Sequence, residues 1–301
     1  MATALAERPG KAAPEPSLKE FTAHCLPVIE RRLAQALEGL VTPAPAMVAA
    51  LHDAVDPNGH QAHRWRPLIV MAAADACGAT PEAGLDAGVA IELTHTASLM
   101  LDDLPCMDNT ALRRGRPATH AQVGSSGAIL AAVGLMGRAA EMLGRSPVGA
   151  GMLAAEWGDA IGLAGMSGGQ VMDLEGGREQ RLRGAARRLH RRKTTALARF
   201  AARAGGIVAG APTALIDALG RFGDHLGWAY QVRDDVADRV EDRLQDRLLA
   251  MEQVAVRRAR LVHQAERSLT GLEWPRPQSM EALLSAARRI AGVPTTALRA
   301  R

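Results

Sequence analysis

The chain has 301 residues and a formal net charge of +4, and 48% of its residues are hydrophobic, which is enough for a sizeable core. Aromatic residues make up only 3% and do not interleave with the arginines, which argues against a nucleic-acid-binding surface. Three cysteines without metal-ligand spacing indicate a reduced, cytoplasmic protein. No uninterrupted apolar run is long enough for a membrane span.

Helical patterns follow one another along the chain. Residues 1–17 lack an apolar signal core and are predicted to be a disordered lead-in, so a single all-α domain would occupy residues 18–301. Period-two alternation is scarce, which predicts that there is no sheet. Glycine, proline and serine predict breaks at 42–46, 57–59, 78–81, 124–127, 146–151, 176–177 and 274–277.

Two of the predicted helices, residues 84–104 and 213–240, carry clustered aspartates. The first cluster is Asp102, Asp103 and Asp108, and the second is Asp234, Asp235 and Asp238. Carboxylates so close together repel one another, and desolvation raises the cost. Mg²⁺ suits such sites, since it shares its positions between carboxylates and substrate phosphates. Two converging clusters would clamp a diphosphate, whereas a solvated acidic face is the plainer alternative for one cluster alone.

The first cluster contains a helix breaker. Pro105 lies between Asp103 and Asp108, so Asp102 and Asp108 can share a metal only if the helix bulges or ends there. Arg113, Arg114 and Arg116 follow directly, and the planar fork of arginine suits diphosphate oxygens. Carboxylates followed by paired arginines indicate Mg²⁺-diphosphate chemistry.

The segment LTHTASLMLDDLPCMDNTALRRGRPATH (93–120) resembles the first aspartate-rich region of trans-polyprenyl diphosphate synthases, and it is most similar to bacterial geranylgeranyl and farnesyl diphosphate synthases. Four more segments match in the expected order: HRWRP (63–67), GQVMD (169–173), KTTAL (193–197) and YQVRDDVAD (230–238). The resemblance implies the all-α isoprenoid synthase fold, a helical bundle around a deep central cavity. It also implies an Mg²⁺-dependent prenyltransferase of isoprenoid biosynthesis, usually a homodimer.

The resemblance assigns roles to individual residues. Those implied to hold or support Mg²⁺ are Asp102, Asp103, Asp108, Asp173, Asp234 and Asp238. Those implied to contact the allylic diphosphate are Arg113, Lys193, Thr194 and Gln231. Those implied to bind isopentenyl diphosphate are His63, Arg64, Arg66, His95 and Arg114. Asp102, Asp103, Lys193 and Asp234 would carry catalysis by stabilising the charge on the leaving group. A core histidine stays open as an alternative for His95, and a helix cap for Asp173.

Product length is argued from steric bulk. In the family, a bulky aromatic four or five residues before the first aspartate stops elongation early. Ala97 and Ser98 occupy these positions here. The expected product is therefore geranylgeranyl diphosphate, with a farnesyl diphosphate synthase as the alternative.

Two departures from the family pattern favour a further alternative. His63 stands where the family has lysine, and no lysine follows Asp238, where the family has a lysine-bearing loop. A catalytically impaired regulatory subunit, forming a heteromer with an active synthase, would tolerate both changes.

Overall fold

The structure is a computed structural model that describes residues 18–38, 40, 44–55, 64–176, 183–237 and 244–293. For residues 175–176, 183–194, 234–237 and 244–252 it describes the backbone alone. The predicted lead-in, residues 1–17, and the predicted break at 57–59 lie outside this part of the chain.

Eleven α-helices make up most of the described residues, which confirms the all-α prediction. They are α1 (Leu18–Glu38), α2 (Pro45–Val55), α3 (Trp65–Ala76), α4 (Leu85–Asp102), α5 (Thr119–Gly144), α6 (Ala150–Ile161), α7 (Met166–Gly176), α8 (Arg183–Val208), α9 (Thr213–Ala237), α10 (Leu244–Ser268) and α11 (Met280–Ala291). Short 3₁₀ turns at Pro81–Gly84 and Pro277–Ser279 overlap two of the predicted breaks.

One prediction about secondary structure was wrong. A two-stranded antiparallel hairpin joins β1 (Leu112–Arg113) to β2 (Arg116–Pro117). Its two turn residues, Arg114 (φ 53°) and Gly115 (φ 78°), both have positive φ, as a type I′ turn requires. Strands of two residues are too short for period-two alternation to reveal.

The predicted break at 124–127 appears as a kink within α5. Gly124 has φ 74° and ψ 166°, a backbone conformation that glycine adopts without the steric cost of a Cβ atom. The predicted helix 84–104 is observed as α4, and the predicted helix 213–240 is observed as α9 up to Ala237.

The core is centred on α3 and α8, which pack against each other and against α4. Both α8 and α4 approach the backbone of α3 so closely that only glycine fits at the contact. A Cβ atom at Gly205 of α8 would lie 2.4 Å from the carbonyl oxygen of Val70, and one at Gly88 of α4 would lie 2.9 Å from Cα of Pro67. α6, α7 and α9 also pack on α8, so the helices that carry the aspartate clusters and the GQVMD segment all contact this one helix.

Candidate active site

The first aspartate cluster lies where α4 ends. Asp102 is the last helical residue, and Asp103 caps the helix. The chain then turns back, because the Asp108 N–H donates to the Asp102 carbonyl (2.9 Å) and the Thr110 N–H donates to the Asp103 carbonyl (3.2 Å). Pro105 therefore lies in a turn that closes the helix, and this turn joins the backbones of Asp102 and Asp108.

Asp103 and Arg113 form the central ion pair of this region. Nε of Arg113 donates to both carboxylate oxygens of Asp103, at 3.0 and 3.2 Å, and Nη2 donates to Oδ1 as well. Asp103 is only 2% exposed. The hydrogen bonds that Arg113 donates to Asp103 raise the pKa of Arg113, and the charges of Asp103, Asp102 and Asp108 raise it further. The guanidinium of Arg113 thus contacts both oxygens of Asp103, which keep further lone pairs, and the implied metal role of Asp103 stays a prediction.

The hairpin β1–β2 holds three arginines beside the cluster. Arg113 at one end pairs with Asp103, and Arg116 at the other pairs with Asp53 of α2 at 2.9 Å. Arg114 lies at the exposed tip, and its side chain makes no ion pair with an acid among the described residues. All three arginines line one cleft between α2, α4 and α5. The hairpin therefore presents Arg114 to an incoming anion.

Arg64, implied to bind isopentenyl diphosphate, is surrounded by acceptors from three helices. Its guanidinium is buried, donating to Glu30 (2.9 and 3.3 Å), to Glu92 (2.9 Å) and to the carbonyl of Val55 (2.5 Å). Its backbone adopts the left-handed region at φ 41°. These acceptors link Arg64 to α1, α2 and α4 and leave it one N–H for a diphosphate, so its implied role at isopentenyl diphosphate stays a prediction.

Arg66 and His95 are two further residues implied to bind isopentenyl diphosphate. The Arg66 guanidinium stacks on the Trp65 ring, 4.3 Å from its centroid. The pKa of His95 lies well below its usual value, chiefly because its half-buried ring is desolvated. Four guanidinium charges lower it further, those of Arg66, Arg114, Arg113 and Arg64. Both desolvation and the arginine charges therefore favour the neutral form of His95, and its implied contact with isopentenyl diphosphate stays a prediction.

A contact that the sequence reasoning missed joins α7 to the first cluster. Gln170 is 9% exposed, and its Nε2 donates to the sulfur of Met107 at 3.7 Å. Its Oε1 is buried without a hydrogen-bond partner among the described residues. Asp173 lies three residues later on α7, hence on the same helix face. The motif GQVMD gave a signal for this contact, but only Asp173 was singled out from it.

Glu30 and Glu92, the partners of Arg64, were also missed. Glu92 is 4% exposed in an otherwise apolar stretch of α4. A glutamate is almost never buried unless it is paired, so this position itself gave a signal that a cation faces it.

Several implied site residues fall where no side chain is described. His63 and Asp238 lie outside the described residues, and only the backbone is described at Lys193, Thr194 and Asp234. Lys193 and Thr194 belong to α8, Asp234 and the half-buried Gln231 to α9. Because α8 packs against α4, α7 and α9, it connects the helices that carry the implied site residues.

The carboxylates of the first cluster suit Mg²⁺. No three acidic, histidine or cysteine side chains of the described part lie close enough to hold a metal by themselves. Mg²⁺ does not need such a cage, since it usually takes one or two carboxylates and completes its shell with water and substrate phosphates. Asp102 and Asp108, joined by their backbones, offer that number, with Asp103 engaged by Arg113.

The comparisons with known proteins show the family of the chain. The polyprenyl synthetase family model matches residues 47–246, which is about two thirds of the chain. Farnesyl diphosphate synthase of Bacillus subtilis is 37% identical over 227 residues, covering 73% of this chain and 75% of that protein. Geranylgeranyl diphosphate synthase of Pantoea ananas is 38% identical over 181 residues, covering 58% of this chain and 60% of that protein.

Solved structures show the same fold. A crystal structure of an FPP/GFPP synthase from Zymomonas mobilis matches with a TM-score of 0.78 and 31% identity, covering 91% of this chain and 98% of that one. A geranyltransferase from Legionella pneumophila matches with a TM-score of 0.77 and 28% identity, again covering 91% of this chain, and 97% of that one.

Proposed function

Because this chain belongs to the polyprenyl synthetase family, we propose that it condenses isopentenyl diphosphate with an allylic diphosphate to form geranylgeranyl diphosphate. The family assignment makes it a short-chain prenyltransferase of isoprenoid biosynthesis. Its relatives are named as farnesyl and as geranylgeranyl diphosphate synthases, so the length of the product is part of the proposal.

One observation carries the proposal. The backbones of Asp102 and Asp108 are joined at the end of α4, and the hairpin beside them brings Arg113 to Asp103 and Arg114 and Arg116 to the same cleft. Carboxylates bind the cation of a Mg²⁺-diphosphate, and guanidinium groups bind its oxygens. Isolated surface ion pairs would need neither the convergence nor the burial.

The proposed site residues would bind two different diphosphates. Asp102 and Asp108 would hold Mg²⁺ on the allylic diphosphate, with Asp173, Asp234 and Asp238 as further proposed ligands. When bound, Mg²⁺ would neutralise charge on the leaving pyrophosphate. Arg113, fixed by Asp103, would contact that same group. Arg66, His95 and Arg114 would bind isopentenyl diphosphate, the second substrate.

The reaction needs no protein nucleophile. The allylic C–O bond breaks, and pyrophosphate leaves with the bonding electrons. The double bond of isopentenyl diphosphate then attacks the resulting cation to form a C–C bond, and the departing pyrophosphate takes up the released proton. The chain's own task is to orient both substrates and to keep water from the cation, which an apolar cavity does.

The small side chains before Asp102 support a twenty-carbon product. Ala97 is fully buried, and Ser98 is 8% exposed. The Ser98 hydroxyl donates to the His95 carbonyl at 2.8 Å, so it is turned back onto the helix. Neither side chain has the bulk to end a growing chain, as an aromatic residue would.

We also propose that the protein is a homodimer formed through α5. By length and composition this helix could cross a membrane, and only 28% of its apolar window is buried within the described residues. Leu130 and Val133 are 66% and 61% exposed. Added Cβ atoms at Gly134 and Gly137 would meet nothing within 4 Å. An exposed apolar patch of this kind marks an interaction site. In the proposed dimer, α5 of a second copy of the chain covers it.

A cytoplasmic location remains a proposal. Cys25, Cys77 and Cys106 are all free thiols, and burial raises the pKa of Cys25 and of Cys77 to about 12. Thiols that stay reduced are typical of the cytoplasm.

The decisive experiment is a condensation assay. The purified protein is incubated with Mg²⁺, isopentenyl diphosphate and, in turn, dimethylallyl, geranyl or farnesyl diphosphate, and the products are separated by chain length. We expect a twenty-carbon product. A fifteen-carbon product would make the protein a farnesyl diphosphate synthase. No condensation by the folded protein with any primer would overturn the proposal and favour the regulatory subunit.

A matched pair of variants controls this assay. Asp102→Asn removes a proposed Mg²⁺ ligand, whereas Asp86→Asn removes the same charge from the other end of α4, where Asp86 pairs with Arg32 at 2.7 Å. Product should disappear with Asp102→Asn only. Equal loss with both variants would point to general damage of α4.

A further inference from the structure

The C-terminal end of α11 is a helix terminus whose free carbonyls are all hydrogen-bonded. A helix leaves its last four carbonyls without partners inside the helix, and in α11 these belong to residues 288–291. The backbone N–H groups of Gly292 (φ 65°) and Val293 take the first two, at 3.1 and 2.9 Å, in the Schellman motif that ends many helices. The last two carbonyls, those of Ile290 and Ala291, need partners from elsewhere.

Two arginines from other helices supply these partners. Arg233 of α9 donates from Nη1 to the Ile290 carbonyl at 3.0 Å, and Arg258 of α10 donates from Nη1 to the Ala291 carbonyl at 3.2 Å. Guanidinium groups suit this position because the macrodipole of a helix makes its C-terminus negative. The end of α11 therefore ties α9 and α10 together.

The two guanidinium groups are held beside each other at an energetic cost. Burial lowers the pKa of Arg258, and the charge of Arg233 lowers it further. Nε of Arg258 is buried without a hydrogen-bond partner among the described residues. Because local physical rules are broken mainly at functional sites, we looked for a function that depends on where these two arginines are placed.

A separate hydrophobic cluster surrounds this contact. Its buried members come from α9, α10 and α11, and they are Ala229, Val232, Leu261, Val262, Ala291 and Val293. Within the described part of the chain, the last buried residue that α9 contributes to the main core is Leu226. Arg233 directly precedes Asp234 of the second aspartate cluster. The end of α9 that carries Asp234 is therefore held by α10 and α11.

We propose that Arg233 and Arg258 are positioning residues, which hold the end of α9 so that Asp234 can bind the Mg²⁺ of the allylic diphosphate. The inference rests on the proposed function, because Asp234 is a metal ligand only in that proposal. Loss of a residue that orients a metal ligand typically costs about 10–100-fold in metal affinity. Both Arg258 and α11 lie beyond residue 246, the last one that the family model matches, so the C-terminal part of the chain supplies this support.

The first test measures the binding of inorganic pyrophosphate in the presence of Mg²⁺ by isothermal titration calorimetry, which needs no turnover. Arg233→Met removes the donor to the Ile290 carbonyl and should weaken this binding by roughly tenfold. Arg233→Lys, which keeps a charge and an N–H donor, should bind more tightly than Arg233→Met. Arg288→Met is the matched control, because Arg288 forms its ion pairs with Glu266 of α10 and Glu281 of α11, at 2.7 and 3.1 Å. It should bind pyrophosphate as the wild type does.

A pair of glycine variants tests the end of α11 itself. Gly292→Ala would place a Cβ atom 3.1 Å from Nη1 of Arg258 and 3.7 Å from Cδ of Arg233, so the Arg258 guanidinium has to shift. Gly210→Ala is the control, because Gly210 (φ 64°) follows α8 with the same pair of backbone hydrogen bonds. Its Cβ atom would lie 3.9 Å from Val148, which is an ordinary contact. Both variants carry the cost of a positive φ, but only Gly292→Ala should weaken the binding of pyrophosphate.

Hydrogen exchange gives a readout that does not depend on Mg²⁺. The amides at the end of α9, residues 229–237, should exchange faster in Arg233→Met and in Gly292→Ala than in the wild type or in either control, because local opening becomes easier. The amides of α9 before Leu226, which packs in the main core, should exchange at the same rate in all of these proteins.

The two readouts separate the inference from the proposed function. If the wild type binds pyrophosphate with Mg²⁺ and Arg233→Met and Gly292→Ala bind it equally well, the inference is wrong and the proposed function stands. If the wild type does not bind it, the proposed function is wrong, and hydrogen exchange decides whether the arginines hold the end of α9. Equal weakening in the controls would also overturn the inference. Should Arg233→Met not fold, Arg258→Met is measured in the same two ways and should have the same effects.

Discussion

Arg113 holds Asp103 through hydrogen bonds to both carboxylate oxygens, so adjacent aspartates at the end of α4 have different tasks. Asp103 is buried at 2% exposure and is neutralised by a guanidinium. Asp102 is bound through its carbonyl oxygen to the N–H of Asp108, and its side chain is half-buried. The doublet therefore combines one carboxylate that orients an arginine with one that suits a metal.

This division predicts different kinetics for two single substitutions. Asp102→Asn should lower kcat by about a hundredfold or more and shift the Mg²⁺ concentration needed for half-maximal activity. Asp103→Asn should leave that concentration unchanged, because its effect passes through Arg113. It should raise KM for the allylic diphosphate and lower the free energy of unfolding by about 1–3 kcal/mol. Mg²⁺ titrations and thermal melts of both variants measure this; equal Mg²⁺ shifts in both would contradict it.

The buried position of Arg64 predicts a loss of stability rather than of affinity. The side chains of Arg64 and Glu92 are 1% and 5% exposed, and breaking a buried ion pair costs about 3–5 kcal/mol because a charge is left without its partner. We expect Arg64→Met to lower the unfolding free energy by this amount in urea titrations. Arg66→Met should instead raise KM for isopentenyl diphosphate. If Arg64→Met kept its stability but had a raised KM for isopentenyl diphosphate, the result would assign Arg64 to substrate binding instead.

The sequence predicted local features well and long-range partners poorly. The limits of α4 and α9 follow from apolar periodicity, and the turn after Asp102 follows from Pro105, because both are set by residues close in the chain. Arg64 is 34 residues from Glu30 and 28 from Glu92, and Trp157 is 63 from Thr94. Nothing in the local pattern pairs residues so far apart. The ion pairs of Arg64 and the contact of Trp157 consequently went unseen.

The depressed pKa of His95 predicts a pH dependence of stability. Burial first, and then the nearby arginines, lower the pKa well below its ordinary value of 6.5. Between these two values the unfolded chain binds a proton that the folded chain does not, so stability falls as the pH drops below about 6.5. The slope contributed by one such group is at most about 1.4 kcal/mol per pH unit.

The measurement compares wild type with His95→Gln, which keeps a neutral polar side chain at this position. Urea unfolding is followed at about pH 7.5 and about pH 5.5, on either side of the ordinary histidine pKa. We expect the wild type to lose more stability than the variant over this interval. The same loss in both proteins would mean that His95 takes up its proton equally in the folded and unfolded states.

The exposed face of α5 predicts how the chains assemble. Val133→Glu places a charge at the centre of the proposed contact, where burial without a partner is costly, and should convert a dimer into a monomer. Val256→Glu on α10 is the matched control, because Val256 is 62% exposed and lies away from α5. Analytical ultracentrifugation of both variants and the wild type gives the mass in solution. If the wild type were a monomer, the proposed interface would be wrong. If Val133→Glu were still a dimer, the interface would lie on another face of the protein. Loss of the dimer in Val133→Glu alone would mean that the apolar stripe on α5 is covered by a second copy of the chain.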